Sequence, residues 1–262
     1  MTLPGRGLAI KLEASLAHDM REYVEVFQRT FPDKKVAYRV IADGVAICLG
    51  KQYLNLAVGL GMDTHVTAAH LDQLESLFHE YDIPPYIEIT PFTDAEFLHL
   101  MAMQNYHVRA FTTAYFHPLD TIPATPSDIV VLPIDDAQRN IWIETVMDIT
   151  ADDTATSTHL ATSVTYRPHT TCFLAYLDDV PVGASALSIR DNIATFYFTA
   201  TRQAYRNRGV QAAMIAARLH YAKDHDCEMA FATTIPGNNS MRNIIRAGFH
   251  VAYSRCMMQK EA

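Results

Sequence analysis

A short basic segment, Arg206 to Ala212, has the residue types of an anion-binding turn. β-branched and aromatic residues precede it from Phe196 to Thr201, and a helical composition follows it from Val210. Gly209 at the predicted helix start would let backbone N–H groups converge on an anion with no Cβ in the way. Free amides of a first helical turn, the helix macrodipole and two arginines all favour a phosphate group. The alternative is a surface turn with solvated arginines.

The elements that must position this segment are predicted from periodicity and turn residues. A strand and one helix precede a meander of three strands, and the stretch 150–165 between them is a second short helix or a mobile lid. The helix after Gly209 is followed by a strand, a short helix and a last strand. The predicted bounds are 129–133, 135–149, 171–177, 180–189, 193–201, 210–224, 228–234, 240–246 and 249–258.

The turn resembles motif A of the GNAT acetyltransferase superfamily, which is Arg or Gln, two residues, Gly, one residue, then Gly or Ala. Arg206 and Gly209 match this pattern, whereas Gln211 occupies the last position. The element order over 128–259 also resembles the family, as does the closing helix that ends in Gly248-Phe249. Gly248 would supply the turn after that helix and Phe249 the first core residue of the next strand.

The resemblance implies that acetyl-CoA is the co-substrate, with no metal, and that it lies between the strand ending at Thr201 and the strand 228–234. Its pyrophosphate would lie on the amides of residues 208–213, and its pantetheine arm would pair with residues 198–201. Asn239 or Ser240 is also expected to cap the closing helix. The expected cofactor-binding residues are Phe198, Thr199, Ala200, Thr201, Arg206, Asn207, Arg208, Gly209, Val210, Gln211, Ala212, Ala213, Asn239 and Asn243.

The reaction implied is direct attack of a primary amine on the acetyl thioester, which needs a base for the amine and an acid for the leaving thiolate. Many family members carry the acid as a Tyr four residues before the closing Gly, where this chain has Ile244. The catalytic residues are therefore unknown. Replacement acids are Tyr253, Tyr197 and Tyr205, and candidate bases are Glu144, Asp191 and Glu228, with a packing or surface role as the alternative for each. The bulk of Phe196, Phe198 and Ile235 favours a small acyl group.

The first half of the chain repeats the pattern of the second. Residues 53–116 have the strand, helix, strand, helix, strand order of residues 193–258. The loop from Gly59 to His65 lacks a preceding Arg or Gln and has Asp63 where a phosphate would lie, so this half is not expected to bind CoA. Asp63 or Thr64 is the expected N-cap of the helix that follows this loop. We therefore predict an α/β fold of the α+β type with two tandem GNAT-like domains, each a mixed, mostly antiparallel twisted sheet flanked by helices. The predicted domains are 1–117 and the catalytic 128–262, joined by the Pro-rich linker 118–127; an unrelated first domain is the alternative.

Composition limits the partners. The net charge of −8 argues against a protein that coats nucleic acid or an anionic membrane. The four cysteines have no metal spacing and are interpreted as reduced thiols in strands. No signal peptide or apolar run is found, so a cytoplasmic location is expected.

The predicted function is an acetyl-CoA-dependent N-acetyltransferase for a small-molecule or peptide amine; the alternative is an inactive CoA or acyl-CoA sensor or scaffold. A homodimer is common for such folds.

Overall fold

The structure is a computed structural model that describes residues 5–51, 53–124, 128–148 and 155–261. It contains two compact units. Unit 1 is formed by residues 1–114 together with 251–262, and unit 2 by residues 115–250. Among the described residues no helix is both long enough and apolar enough to cross a membrane.

Unit 1 has a mixed sheet with helices against it. Antiparallel strands β1, β2 and β3 come first, β3 pairs parallel with β4, and the last strand of the chain, β11, pairs antiparallel with β4 and is followed in the sheet by β5. The core contains Leu74, Phe78, Ile87 and Phe97. The elements are α1 (Arg6–Thr30), β1 (Ala37–Ile41), β2 (Gly44–Cys48), β3 (Asn55–Val58), α2 (Ala68–His79), β4 (Tyr86–Ile89), α3 (Ala95–Met103), β5 (Tyr106–His117) and β11 (His250–Lys260).

The start of α2 differs from the prediction, which put the N-cap at Asp63 or Thr64. The amides of Asp63 and Thr64 instead donate to the side chain of Asp43, so these residues stay in the loop. The N-cap is Thr67, whose hydroxyl accepts from the amide of His70 while the His70 ring accepts from the amide of Thr67. This reciprocal pair is a capping box, and it puts the N-cap of α2 at Thr67 instead of Asp63 or Thr64.

Unit 2 has its strands in the order β10, β9, β8, β7, β6, and only the β9–β10 pair is parallel. The mixed, mostly antiparallel sheets of the two units confirm the predicted fold class. The elements are β6 (Val130–Pro133), a 3-10 turn (Asp136–Gln138), α4 (Arg139–Met147), α5 (Ala155–Thr165), β7 (Thr170–Leu177), β8 (Val180–Arg190), β9 (Ile193–Thr201), a second 3-10 turn (Gln203–Tyr205), α6 (Val210–Asp224), β10 (Met229–Thr234) and α7 (Asn239–Arg246).

The connections of unit 2 agree in part with the prediction. The stretch 150–165, for which the sequence allows a short helix or a lid, is helical from Ala155, and residues 149–154 lie outside the described residues. The helix predicted over 135–149 begins as a 3-10 turn and becomes α-helical at Arg139. Residues 118–124 of the predicted linker have no regular secondary structure, and its residues 125–127 are outside the described part.

All four cysteines are free thiols, three of them in strands and Cys227 in the turn before β10.

The last strand is the place where the compact units depart from the predicted domain bounds. From Val251 onward it belongs to unit 1, whereas residues 115–117 at the end of β5 belong to unit 2. A buried ion pair holds β11 in unit 1, because Arg255 contacts Glu88 of β4 at 2.6 Å and Glu13 of α1 at 3.1 Å. The functional division into a degenerate domain and a catalytic domain stays a prediction.

Candidate cofactor and catalytic site

Strands β9 and β10 of unit 2 separate partway along their length. Their pairing runs from Ile193 opposite Met229 to Phe196 opposite Ala232, although β9 continues to Thr201. In the described part of the chain, the pairing of β9 with β10 does not continue beyond Phe196. This is the position at which the sequence predicted the bound cofactor.

A β-bulge in β9 lies at the point of separation. Ala186 of β8 faces Tyr197 and Ala184 faces Ala200, so Ser185 alone faces two residues of β9. Phe198, inside the bulge, has a φ of 45°, which a bulky residue adopts only when its surroundings impose it. Trp142 of α4 supports the bulge, since its indole N–H donates to the carbonyl of Ser185 at 3.1 Å and its ring lies 6.0 Å from that of Phe198. Sequence analysis did not assign this role to the only tryptophan of the chain.

The predicted anion-binding turn is open at the start of α6. Gly209 is the N-cap with a φ of 84°, a left-handed conformation that favours glycine, and it makes no side-chain cap. In the described part of the chain, the amides of residues 207–212 have no hydrogen-bond acceptor. Arg206, Arg208 and Gly209 are exposed around them. The turn thus presents unpaired donors and two cations on one surface, as the sequence predicted.

A glycine in the sheet lets the start of α6 lie this close to β8 and β9. A Cβ on Gly183 would come within 2.8 Å of Cγ1 of Val210 and 3.0 Å of the carbonyl oxygen of Ala200. Val210 is buried beneath the turn, as is Ala213 one helical turn later. Both residues were predicted to bind cofactor; their side chains belong to the core, so only their backbone is available for that role.

Helix α7 is tied to the start of α6. The side-chain amide of Asn243 donates to Oε1 of Gln211 at 2.5 Å. The cap predicted at Asn239 or Ser240 is wrong, because the N-cap is Asn238, which accepts from the amide of Met241 at 2.8 Å. The predicted Gly248 turn is confirmed: it has a φ of 93°, and the amides of Gly248 and Phe249 close the end of α7 on the carbonyls of Ile245 and Ile244.

A cavity of about 130 Å³ lies between the separated strands and helices α6 and α7. It brings together predicted cofactor residues from distant parts of the sequence, namely Phe198 and Thr199 of β9 and Gln211 of α6. No Asp, Glu or His lines it. The lining residues are Phe196, Tyr197, Phe198, Thr199, Gln211, Ile215, Arg218, Ala232, Thr233, Thr234, Ser240 and Ile244.

The other predicted site residues lie around this cavity or away from it. Ala200 and Thr201 are half-buried on β9 beyond the bulge, while Asn207, Ala212 and Asn239 are exposed. Ile235, which the sequence placed near the acyl end, is 64% exposed and is not among the lining residues.

Sequence analysis missed the buried arginine of this cavity. Arg218 of α6 is 1% exposed, and its guanidinium lies 4.3 Å from the centre of the Phe196 ring. Its Nη1 donates to the carbonyls of Ala186 at 3.1 Å and Tyr197 at 3.5 Å, residues that face each other across β8 and β9 at one end of the bulge. Burial lowers the pKa of Arg218 to about 9, so the side chain is still a cation at neutral pH. The only signal in the sequence was a single Arg among the apolar residues of a helix.

Tyr197, a candidate acid, has its hydroxyl on the side of α5 and β7. It accepts from Nη1 of Arg167 at 2.9 Å and lies 2.5 Å from Oγ1 of Thr170. Tyr205 is half-buried under Arg208, whose guanidinium lies 5.5 Å from its ring. The Tyr197 hydroxyl would have to rotate away from Arg167 and Thr170 to face a thiolate, so Tyr197 gains no support as the acid. The contact of Tyr205 with Arg208 does not assign that role to Tyr205 either.

Tyr253 belongs to unit 1, where its hydroxyl donates to Glu13 at 2.8 Å. Burial, followed by the charge of Glu13, raises its pKa. The candidate base Glu144 is exposed on α4. Asp191 and Glu228 precede β9 and β10, at the paired ends of these strands and opposite the end that separates. The catalytic acid and base therefore stay unassigned.

Comparisons with known proteins agree with this geometry. Residues 134–249 match the model of the Acetyltransferase (GNAT) family. The match includes the turn at Gly209, the separated strands and α7. No curated protein sequence matches the chain.

Solved structures extend the likeness to the whole chain. A GCN5-related N-acetyltransferase from Kribbella flavida is 15% identical, with a TM-score of 0.68 over 96% of each chain. One from Sphaerobacter thermophilus is also 15% identical, with a TM-score of 0.62 over 99% of this chain and 97% of that one. A tandem GNAT protein from the clavulanic acid biosynthesis pathway is 16% identical, with a TM-score of 0.58 over 98% and 95%. The fold of the chain is thus that of tandem GNAT proteins, and it supports acyltransferase activity in general.

Proposed function

We propose that the protein is an acetyl-CoA-dependent N-acetyltransferase whose catalytic part is unit 2. The observation that carries the proposal is the row of unpaired amides at residues 207–212 beside Arg206 and Arg208, next to the separated strands. A diphosphate would occupy the amides, and a pantetheine arm would pair with the free edge of β9. The acceptor would be a primary amine of a small molecule or peptide, and the protein would work in the cytoplasm.

The reaction requires little from the side chains beyond positioning. The amine nitrogen, after losing a proton, attacks the thioester carbonyl in a ternary complex. A C–N bond forms, the C–S bond breaks, and the thiolate takes a proton to leave as the free thiol of CoA. Backbone N–H groups at the bulge around Phe198 are the candidates to stabilise the oxyanion that develops. Holding the amine and the thioester close together in the right orientation accounts for much of the rate enhancement that such a site can provide.

A second candidate is a CoA or acyl-CoA sensor that does no chemistry. It is favoured by the lining of the cavity, which contains no Asp, Glu or His, and by the engaged hydroxyl of Tyr197. Both candidates need the same cofactor site. They differ only in turnover.

Calorimetric titration of CoA and acetyl-CoA tests the cofactor site. We expect micromolar binding to the unaltered protein and a loss of about 100-fold or more in the Arg206→Ala, Arg208→Ala double variant, since each charged contact contributes about tenfold. The matched control is the double variant Arg29→Ala, Arg109→Ala, which removes the same charge from exposed positions in unit 1. No binding of either compound to the unaltered protein would overturn the proposal.

Release of the CoA thiol from acetyl-CoA then separates the two candidates. The assay adds a panel of primary amines, including polyamines, amino acids and peptides, to the unaltered protein and to the double variant. Amine-dependent thiol release that the double variant lacks is expected of the enzyme. Tight binding without release from any amine of the panel would favour the sensor.

A further inference from the structure

The guanidinium of Arg218 has donors to spare. Its five N–H groups include one on Nε, which donates to the carbonyl of Met214 at 3.1 Å, and two on Nη1, which face the carbonyls of Ala186 and Tyr197. The two N–H groups of Nη2 have no acceptor in the described part of the chain. Since Arg218 lines the cavity between β9 and β10, these donors are available to a ligand there.

Among the described residues, no carboxylate pairs with Arg218. None lines the cavity in that part of the chain, and burial lowers the pKa of Arg218. Burying a cation without a paired anion is costly, and proteins normally place a carboxylate beside it. An apolar side chain would fill the same space between α6 and the sheet without that cost. The three carbonyl contacts offset only part of it.

A second polar group in the cavity is unpaired. Thr234, near the end of β10, is 7% exposed and lines the same cavity. Its hydroxyl has no hydrogen-bond partner within the described structure. An unpaired buried hydroxyl costs stability in the way an unpaired amide does. The cavity therefore contains a cation and a hydroxyl donor that both lack an acceptor.

We propose that Arg218 and Thr234 bind a carboxylate on the acyl group, so that the preferred donor is a CoA thioester of a short dicarboxylic acid. This inference rests on the cofactor site of the proposed function, because it takes the thioester to lie between β9 and β10, and it changes the preferred acyl group from acetyl to one that ends in a carboxylate. A volume of about 130 Å³ corresponds to roughly four water-sized groups, which suits the end of a malonyl or succinyl chain and excludes a long one. The transfer itself is unchanged: a C–N bond forms, the C–S bond breaks, and the distal carboxylate is carried into the product.

The test compares four thioesters by calorimetry, without needing an acceptor amine. Malonyl-CoA and succinyl-CoA carry the carboxylate, and butyryl-CoA and acetyl-CoA are the neutral references of similar or smaller size. We expect the carboxylated thioesters to bind about 10- to 100-fold more tightly than butyryl-CoA, the usual range for a hydrogen-bonded charge pair. In Arg218→Met this ratio is expected to fall to about 1, and Arg218→Lys is expected to retain part of it.

Thr234→Val provides a milder variant that removes the hydroxyl and keeps the shape, and it is expected to lower the same ratio about threefold or more. If Arg218→Met does not fold, the inference is still tested by Thr234→Val and by the affinity of the unaltered protein for the carboxylated thioesters relative to butyryl-CoA.

Three results would overturn the inference. Equal binding of malonyl-CoA and butyryl-CoA to the unaltered protein would do so. An equal loss for all four thioesters in Arg218→Met would show that Arg218 only supports the bulge. Failure of CoA itself to bind would remove the proposed function together with this inference, whereas binding of CoA with no preference among the thioesters would remove this inference alone.

Discussion

The two units treat the loop after the third strand of their meander in opposite ways. In unit 2 the amides at the start of α6 are open and two exposed arginines flank them. In unit 1 the corresponding loop is closed by the chain's own carboxylates. Asp43 accepts from the amides of Asp63 and Thr64, and Asp94 accepts from the amide of Val66 and from the ring of His65.

The buried arginines of the two units also differ in whether the chain supplies a carboxylate for them. In unit 1, Arg255 is 3% exposed and lies between the carboxylates of Glu13 and Glu88. In unit 2, Arg218 is at least as buried and has only carbonyl partners. Unit 1 pairs its buried Arg255 with two carboxylates, whereas Arg218 in unit 2 keeps donors that a ligand can use. Related folds can therefore be told apart by where their hydrogen-bonding capacity is left unused.

Replacing each buried arginine by methionine should show the largest difference between the two units, because Arg255 is paired with carboxylates and Arg218 with carbonyls. Arg255→Met leaves two buried carboxylates without a cation and is expected to lower the free energy of unfolding by about 3–5 kcal/mol. Arg218→Met removes an uncompensated charge along with its carbonyl contacts, so a change of about 1 kcal/mol or less is expected. Urea denaturation of both variants at neutral pH measures the difference.

The pH dependence gives this comparison a second readout. Burial raises the pKa of Glu88 even with Arg255 present, and without the cation that pKa rises further. A carboxyl whose pKa is raised in the folded state favours folding when protonated, so the deficit of Arg255→Met should shrink as the pH falls from 8 towards 5. A deficit that is independent of pH, or equal losses in the two variants, would contradict the contrast between the units.

A single carboxylate should make the open turn of unit 2 resemble the closed loop of unit 1. Ala212 is exposed in the first turn of α6, where Ala212→Asp would face the amides and the helix dipole. We expect CoA affinity to fall about tenfold or more, because the carboxylate competes with and repels the diphosphate, while stability rises by a few tenths of a kcal/mol, a typical value for such a charge.

The isosteric variant Ala212→Asn is the control for size and is expected to change CoA affinity about threefold at most. Calorimetry with CoA and thermal denaturation of both variants test the prediction. Similar affinities for the Asp and Asn variants would show that the diphosphate does not lie on this turn.

Removing the carboxylate from the loop of unit 1 should change stability and leave CoA binding as it is. Asp43→Ala leaves the amides of Asp63 and Thr64 without their acceptor and is expected to cost about 1–2 kcal/mol, as for the loss of a helix cap. Asp43→Asn keeps an acceptor and tolerates the φ of 65°, so its cost should be smaller than that of the alanine variant.

Opening this loop is not expected to create a CoA site, because the neighbouring Arg6 is bound to the carbonyl of Met62 and the carboxylates of Asp63 and Asp94 remain beside it. Asp43→Ala in the background of the Arg206→Ala, Arg208→Ala variant should therefore bind no CoA by calorimetry. Restored binding in that triple variant would show that unit 1 is a second cofactor site held closed by Asp43.

Local features of the fold could be predicted from the sequence because neighbouring residues determine them. The hairpin turn at Asp178-Asp179 has both residues in the left-handed region, as a two-residue turn between twisted strands requires. The Gly209 turn and the end of α7 at Gly248 follow from the conformational freedom of glycine. These short signals, in their order along the chain, were sufficient to predict the GNAT resemblance and the position of the anion-binding turn.

The tertiary structure decided what depends on distant partners. The last strand lies in unit 1 because Arg255 meets Glu13 and Glu88, residues far from it in the sequence. The bulge at Phe198 depends on its register with β8 and on Trp142, which periodicity along one strand does not contain. Arg218 looks like a surface residue in a helical sequence, and only packing against the sheet buries its charge beside the cavity. The sequence by itself determined the open turn at Gly209, because a glycine and its neighbours suffice to form it, and the fold decided which charges lie beside the cavity.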